Sequence, residues 1–268
     1  LMKDEGYIDT FRGGDLVDPE ETVPAKSVWI FRYYEHVSED LGSGEREGIP
    51  EFATRLRRFI LRIREQVCTS DEDRQKFKVY LVAHSMGGLI TISYVLRDAA
   101  GLAGAVISSP ALDAHPEFRP PLLLRLLVGL LSWLAPAKLF PSDLDTGALS
   151  RDPDVVRAYE EDPLVSRAVS ARWYAEAMKA MKRTRAGAET LRLPMLLMQS
   201  GDDRLVDPEA ARSWAALAPR GKVDLHIWEG LYHEMFNEPE KERVRERVQT
   251  WLRERVGSHR NDRATNER

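Results

Sequence analysis

The sequence predicts an α/β protein with a mostly parallel central sheet and a helical insertion. Short β-branched and apolar runs alternate with amphipathic helical patterns, as in parallel strands that are joined by helices. Residues 110–190 then separate two of these strands, begin with several prolines and continue as helical sequence. A segment of this length is too long for a simple connection, so we interpret it as a helical lid.

Composition is that of an ordinary globular protein. Of the 268 residues, 43% are hydrophobic and 31% are charged, and the formal net charge is −4. This balance gives no reason to expect a nucleic-acid partner. Cys68 is the single cysteine, which excludes an intrachain disulfide, and Leu1 to Asp15 lack the apolar core of a signal peptide. We therefore expect a cytoplasmic protein.

The core elements follow one another from the N-terminus. Ser27–Phe31 is predicted as a strand, and Glu51–Val67 as a helix because its apolar residues recur at helical spacing. The later strands are predicted at Lys78–His84, Ala103–Ser109, Pro194–Ser200 and Val223–Glu229, and the later helices at Leu89–Arg97 and Glu240–Val256. We assign residues 1–109 and 191–256 to the core, residues 110–190 to the lid and residues 257–268 to a disordered tail.

The lid contains the most apolar run of the chain, Leu122–Leu134. It is shorter than the roughly 20 residues that a membrane-spanning helix needs. Because it is apolar nearly all round, it must be buried on more than one face or contact an amphiphile. We expect part of it to pack on the sheet, and it is also a candidate for peripheral contact with a membrane or micelle.

A nucleophile motif lies between a predicted strand and a predicted helix. Ala83 to Gly88 read Ala-His-Ser-Met-Gly-Gly, and a sharp strand-to-helix turn at this place would expose the Ser85 hydroxyl. The same turn directs the N–H of Met86 toward a developing oxyanion. The usual pattern has glycine where Ala83 stands, which is a small departure. Taken alone, Ser85 is also compatible with an ordinary turn serine.

Partners for such a serine follow later strands in the required order. A serine hydroxyl needs an imidazole to accept its proton and a carboxylate to orient that imidazole. His233 follows the strand that ends at Glu229, and Asp203 follows the strand that ends at Ser200, with Asp202 and Asp207 as competing acids. His84 lies on the strand side of the turn, so it is expected to line the pocket. This chemistry requires no cofactor and no metal ion.

Residues 78–256 resemble the monoacylglycerol lipase and lysophospholipase group of the α/β-hydrolases. The matching segments are Ala83–Gly88, Leu149–Val165, Gly201–Val206 and Glu229–Pro239. The resemblance implies a catalytic triad of Ser85, Asp203 and His233. It also implies long-chain monoacylglycerols as substrates and an acyl tunnel under the lid. Lysophospholipids or short-chain esters are alternative substrates, and an inactive binding protein is the alternative of another class.

The N-terminal part departs from that group. Its members carry a His-Gly loop after an early strand, and this loop supplies a second oxyanion N–H. Here the predicted strand ends at Phe31 and runs directly into Arg32, and a further strand with its loop is missing between Leu41 and Gly42. Loss of one oxyanion donor typically costs about 10²–10³ in kcat. Phe31 and Arg32 are the candidates for the polar end of the pocket.

Overall fold

In a computed structural model, the structure describes residues 8–10, 27–29, 49–142, 144–163 and 165–266. Two short strands, β1 (Ile8–Thr10) and β2 (Ser27–Trp29), pair in parallel near the N-terminus. β2 falls within the predicted Ser27–Phe31 strand, whereas β1 was not predicted. Phe31, Arg32 and the segment around Leu41 and Gly42 lie outside the described residues.

Four parallel strands form the larger sheet. They are β3 (Val79–His84), β4 (Leu102–Ser108), β7 (Met195–Ser200) and β8 (Val223–Trp228), in that spatial order. Every residue of β4 and β7 is buried, which accounts for their continuously apolar sequences. All four strands agree with the prediction to within one residue at each end. Their shared direction brings their carboxyl ends to one edge of the sheet.

Helices cover the sheet. The chain forms α1 (Ile49–Val67), the short α2 (Asp71–Lys76), α3 (Ser85–Val95), α7 (Pro208–Leu217) and α8 (Lys241–Asn266). α1 buries Phe52, Leu56, Ile60 and Ile63 along one face, as the periodicity predicted. The core also contains two fully buried tryptophans, Trp214 and Trp251. None of the helices in the described part of the chain has both the length and the apolar character for crossing a membrane.

Two helix boundaries differ from the prediction by more than two residues. α3 begins at Ser85 rather than at Leu89, because Gly87 and Gly88 continue the helix instead of forming a separate turn. α8 continues past Val256 to Asn266, into the segment for which the sequence predicted disorder. Once a helix has been nucleated on a packed segment, each further residue adds a hydrogen bond at little cost, and no proline interrupts this stretch.

The described residues between β4 and β7 form three α-helices, three short 3₁₀ helices and one pair of strands. The α-helices are α4 (Leu122–Leu134), α5 (Pro153–Glu161) and α6 (Ala171–Ala186). The strands are β5 (Leu139–Pro141) and β6 (Ala168–Ser170), which pair antiparallel and interrupt a region that the sequence predicted to be helical throughout. α6 packs against α1 and α3, so the end of the predicted lid also contributes to the core.

The apolar helix α4 packs on α6 and leaves most of its leucines exposed. Its least exposed positions are Val128, Leu131 and Ser132, which lie on one face of the helix. The expectation that part of α4 packs on the sheet is wrong, because α6 is its main packing partner. Seven leucines and one tryptophan of α4 are largely exposed: Leu122, Leu123, Leu124, Leu126, Leu127, Leu130, Trp133 and Leu134.

Candidate active site

Ser85 is the first residue of α3 and lies at its strained junction with β3. Its φ is 51°, a left-handed conformation that a residue with a Cβ atom rarely adopts. Such conformations cost on the order of 1–3 kcal/mol and persist where the surrounding structure enforces them. Here the backbone oxygen of Ser85 accepts a hydrogen bond of 3.1 Å from the Ala111 N–H. The turn therefore places the hydroxyl at the carboxyl edge of the sheet.

Close packing behind this turn requires glycine at position 88. A Cβ atom on Gly88 would lie 2.9 Å from Cγ2 of Ile107 and 3.2 Å from Cβ of Pro110. The absence of a side chain lets the first turn of α3 approach β4. Gly88 thus has a packing role as well as a place in the sequence motif.

His233 lies within hydrogen-bond distance of Ser85. It belongs to the loop that follows β8, and its Nε2 is 2.9 Å from Oγ of Ser85. The His233 residue as a whole is only 4% exposed. A neutral imidazole with its proton on Nδ1 has its Nε2 lone pair directed at the hydroxyl, as removal of the serine proton requires.

Asp203 contacts the other side of the imidazole. Its Oδ2 is 2.8 Å from Nδ1 of His233. Its Oδ1 accepts hydrogen bonds from the backbone N–H groups of Leu205 at 2.9 Å and Val206 at 3.0 Å. The buried carboxylate is thus paired and oriented, and it favours the tautomer with a proton on Nδ1. The structure brings Ser85, His233 and Asp203 together in the order that the sequence predicted.

The two competing acids lie elsewhere. Asp202 is exposed. Asp207 caps the N-terminus of α7, where its carboxylate accepts from the Glu209 N–H at 3.0 Å, and it also pairs with Arg119 at 2.6 Å. A helix cap before proline was the expected role for Asp207. Of these three aspartates, Asp203 is the one that contacts the histidine.

The loops that carry the acid and the base are packed directly on each other. The N–H of Gly201 donates to the Trp228 oxygen at 2.8 Å, and the N–H of Asp202 donates to the Leu231 oxygen at 3.2 Å. A Cβ atom on Gly201 would lie only 3.0 Å from Cα of Glu229. Glycine is required at this crossing, and the resulting contact fixes the distance between the two loops.

Met86 is the second residue of α3. The N–H groups in the first turn of a helix have no intrahelical acceptor, and they carry the partial positive charge of the helix N-terminus. Adjacent to Ser85, this N–H suits an oxyanion. Phe31 and Arg32, the other predicted contributors, cannot be placed, since they lie outside the described residues.

The His84 ring packs next to His233, and its hydrogen bond is to Ser108 rather than to Ser85. Its ring centroid is 4.8 Å from that of His233, and its Nδ1 is 3.0 Å from Oγ of Ser108. Burial, followed by the proximity of His233, lowers the pKa of His84 to about 3. The ring is therefore uncharged at neutral pH, and it presents a neutral surface to His233, as a lining residue would.

Three buried polar residues support the site and were not identified from the sequence. Gln199 directs its amide N–H at Oδ2 of Asp203, 3.2 Å away. Ser109 donates to the backbone oxygen of His233 at 2.9 Å, and Ser200 donates to that of Tyr232 at 2.6 Å. All three lie at strand ends beside predicted catalytic loops, which is the one signal that could have indicated them.

The remaining titratable candidates have structural surroundings. His226 stacks on Trp228 with ring centroids 4.4 Å apart, and burial lowers its pKa. His115 caps a short 3₁₀ helix at Pro116–Phe118. Cys68 is buried at the end of α1, and burial raises the pKa of its thiol, as expected for an inert cysteine.

Comparison with known proteins identifies the family and several relatives. A family profile described as serine aminopeptidase, S33, matches residues 36–240. The chain is 38% identical over 168 residues to the phospholipase YtpA of Bacillus subtilis. The match covers 62% of this chain and 64% of YtpA, so the chain spans slightly less than two thirds of that relative's length. It is 32% identical over 198 residues to a monoacylglycerol lipase of Mycolicibacterium smegmatis, covering 74% of this chain and 70% of that protein.

Solved structures of lipases are also similar to this chain. The monoacylglycerol lipase of Paleococcus ferrophilus superposes with a TM-score of 0.69 and 26% sequence identity, covering 83% of this chain and 89% of that one. A soluble variant of the monoglyceride lipase of Saccharomyces cerevisiae superposes with a TM-score of 0.63 at 19% identity, over 74% of this chain and 68% of that one. The latter match concerns the fold alone. Together they confirm the predicted α/β-hydrolase fold.

Proposed function

The chain belongs to the family described as serine aminopeptidase, S33, and on that premise we propose that it hydrolyses long-chain monoacylglycerols to fatty acid and glycerol. The observation that carries the proposal is the continuous hydrogen-bonded chain from Ser85 through His233 to Asp203. Its serine is held in a strained turn at the edge of the sheet. This is the arrangement that an acyl-enzyme mechanism needs.

The reaction divides into two halves. In acylation, Oγ of Ser85 attacks the ester carbonyl carbon while Nε2 of His233 takes the hydroxyl proton. Asp203 stabilises the imidazolium that results, and the N–H of Met86 donates to the oxyanion. His233 then gives the proton to the glycerol oxygen as the ester C–O bond breaks. In deacylation, water attacks the acyl-enzyme, His233 takes and returns its proton, and the fatty acid leaves.

His84, Phe31 and Arg32 complete the proposed site. The neutral ring of His84 provides a surface beside His233 without adding a positive charge that would oppose imidazolium formation. Phe31 and Arg32 follow β2 in the chain. We assign them to the polar end of the pocket, where the second oxyanion donor and the contacts to glycerol belong.

A lipid ester suits this chain better than a peptide, although the family description names a peptidase. The exposed leucines of α4 form an apolar surface on the lid. Exposed apolar patches of this kind mark interaction sites for partners or membranes. We propose that this surface contacts the micelle or membrane that supplies the substrate.

A second candidate substrate is a lysophospholipid. The identity of 38% to a protein named a phospholipase favours it. The acyl chemistry would be the same, and only the alcohol that leaves the acyl carbon, protonated by His233, would differ. Monoacylglycerol and lysophosphatidylcholine with the same acyl chain, compared by kcat/KM, separate the two. A preference for the phospholipid would replace the proposed head group while keeping the proposed chemistry.

The test of the proposed function is reaction with a fluorophosphonate probe, followed by a series of monoacylglycerols that differ in acyl length. Labelling that disappears in Ser85→Ala identifies the nucleophile, and absence of labelling in the wild type would favour an inactive binding protein. Burying one methylene is worth about 0.8 kcal/mol, so kcat/KM should rise with chain length until the acyl site is full. Measurements below the micelle concentration avoid an apparent preference due to aggregation. A maximum at butyrate would indicate a short-chain esterase instead.

A further inference from the structure

A buried carboxylate connects the lid to the loop that carries His233. The side chain of Glu238 is completely buried and pairs with the guanidinium of Arg151. The same carboxylate accepts a hydrogen bond of 2.6 Å from the Arg151 backbone N–H and one of 3.4 Å from the Tyr232 N–H. Tyr232 directly precedes His233, so Glu238 binds both sides of the junction.

The contact extends along the segment Ala148–Arg151, which we call the lid base. The N–H of Glu234 donates to the Leu149 oxygen at 2.8 Å, and that of His233 donates to the Ala148 oxygen at 3.4 Å. The hydroxyl of Ser150 donates to the Asn237 oxygen at 3.2 Å. The lid base therefore lies against the catalytic loop at the histidine and at residues that follow it.

Electrostatics make this contact specific. Burial of a carboxylate is costly unless a cation and hydrogen-bond donors compensate it. Here the Arg151 guanidinium and two backbone N–H groups supply that compensation. If the lid base moved away, Glu238 would lose its cation and one of those N–H groups together. The docked arrangement is favoured for that reason.

We propose that Arg151 and Glu238 are positioning residues that couple the lid base to His233. The inference rests on the proposed function, because it concerns the placement of the general base. His233 must reach Ser85 and Asp203 at once, and a displacement of about 1 Å can cost on the order of 10²-fold in rate. Displacement of the lid base withdraws the imidazole from Ser85, so the lid controls the competence of the triad as well as access to it.

The experiment compares Arg151→Gln and Arg151→Lys with a matched control, Arg157→Gln. Arg157 is a lid arginine whose side chain is 63% exposed and whose partner is Asp154 in the same helix. Each variant is assayed for kcat and KM on p-nitrophenyl acetate, which is too short to depend on the lid for binding. The rate of fluorophosphonate labelling and the melting temperature are measured as well.

We expect Arg151→Gln to lower kcat and the labelling rate by on the order of 10²-fold with little change in KM. Arg151→Lys should recover part of that loss, because an ammonium group pairs with Glu238 but cannot reproduce the fork of the guanidinium. Arg157→Gln should match the wild type. The double variant with Glu238→Gln should be no slower than the slower single variant, since Arg151→Gln already breaks the pair with Glu238, together with a second pair between Arg151 and Glu240.

A lower melting temperature with unchanged kcat and labelling rate in Arg151→Gln would overturn the proposal and leave a purely structural ion pair. Additive losses in the double variant would also overturn it. If Arg151→Gln fails to fold, Arg151→Lys decides by the same readouts: a wild-type rate despite lowered stability overturns the coupling. Failure of the wild type to label would instead refute the proposed function, so the two failures are distinguishable.

Discussion

The hydroxyl of Ser109 donates a hydrogen bond of 2.9 Å to the backbone oxygen of His233. Ser109 directly follows β4, is fully buried, and has a φ of 39°. Like Ser85, it adopts a left-handed conformation without being a glycine. Strained backbone of this kind persists only where the surrounding structure enforces it. Its presence in two serines at one site therefore indicates that the positions of their hydroxyl groups matter for the site.

Two substitutions separate the strain at Ser109 from its hydrogen bond. Ser109→Ala removes the hydroxyl and keeps the strain, whereas Ser109→Gly removes both. A buried carbonyl that loses its donor costs about 1–3 kcal/mol. We therefore expect both variants to lose activity, and Ser109→Gly to be the more stable of the two because glycine tolerates positive φ. The measurements are kcat and urea unfolding.

Ser93→Ala is the matched control for Ser109, since it removes a hydroxyl whose partner is Thr184, 2.7 Å away and outside the triad. It should lower stability and leave kcat unchanged. Full activity in Ser109→Ala would show that the His233 loop does not need this contact.

The triad gives the second prediction. Replacement of Ser85, His233 or Asp203 by alanine should each lower kcat by about 10⁴–10⁶-fold while the fold is retained, because the three residues act as a unit. Asp202→Ala is the control, since this neighbouring carboxylate is exposed. Steady-state kinetics measure the loss of kcat, and circular dichroism checks that the fold is retained. A larger loss in Asp202→Ala than in Asp203→Ala would reverse the assignment of the acid.

His84 gives a prediction for stability against pH. Its pKa falls from 6.5 to about 3 in the folded protein. Below pH 6.5 the unfolded chain therefore binds a proton that the folded protein binds only near pH 3. Stability should be constant with respect to this group above pH 6.5 and should fall as the pH drops toward 3. The urea midpoint at pH 7.5, 6.0 and 5.0 measures the trend.

His84→Gln should flatten that dependence, because glutamine does not titrate. The pKa of His226 is also lowered by burial, so His226→Gln should likewise reduce the loss of stability at low pH, but by less than His84→Gln. An unchanged slope in His84→Gln would mean that the His84 ring is solvated in the folded protein.

The exposed leucines of α4 give the fourth prediction. Simultaneous replacement of Leu123, Leu126 and Leu130 by serine should weaken binding to phospholipid vesicles and slow hydrolysis of micellar monoacylglycerol. Hydrolysis of p-nitrophenyl acetate should stay unchanged, because these side chains project away from the helix face that packs on α6. Vesicle co-sedimentation and the two activity assays measure the effects.

Leu217→Ser serves as the control for a lost apolar group, since Leu217 is 55% exposed at the end of α7, outside the lid. It should leave vesicle binding intact. Equal vesicle binding by the triple variant and the wild type would argue that α4 is not the membrane contact.

Local sequence signals were sufficient for much of the core. Short runs rich in apolar residues predicted the four strands of the larger sheet, and the two that are buried throughout, β4 and β7, carry few polar residues. The ends of parallel strands share one edge of the sheet. Ser85, Asp203 and His233 could therefore be predicted to meet, although the acid stayed open among three aspartates until family resemblance was considered.

Tertiary structure decided what local signals leave open. The apolar pattern of α4 indicated burial but not a partner, and packing on α6 left its leucines exposed. Gln199 and Ser109 became recognisable only when folding brought them beside Asp203 and His233. The pairing of Arg151 with Glu238 likewise depends on the docking of the lid base against the catalytic loop.

By itself, the sequence determined the order and type of the core elements and predicted the candidate nucleophile Ser85 and the candidate base His233, because strand composition and turn chemistry are local properties. The tertiary structure showed that Asp203 is the carboxylate in contact with His233, and it alone decided which buried polar groups hold His233 in place. Those choices depend on distances between residues far apart in the chain, and such distances exist only once the sheet, the loops and the lid base have packed together.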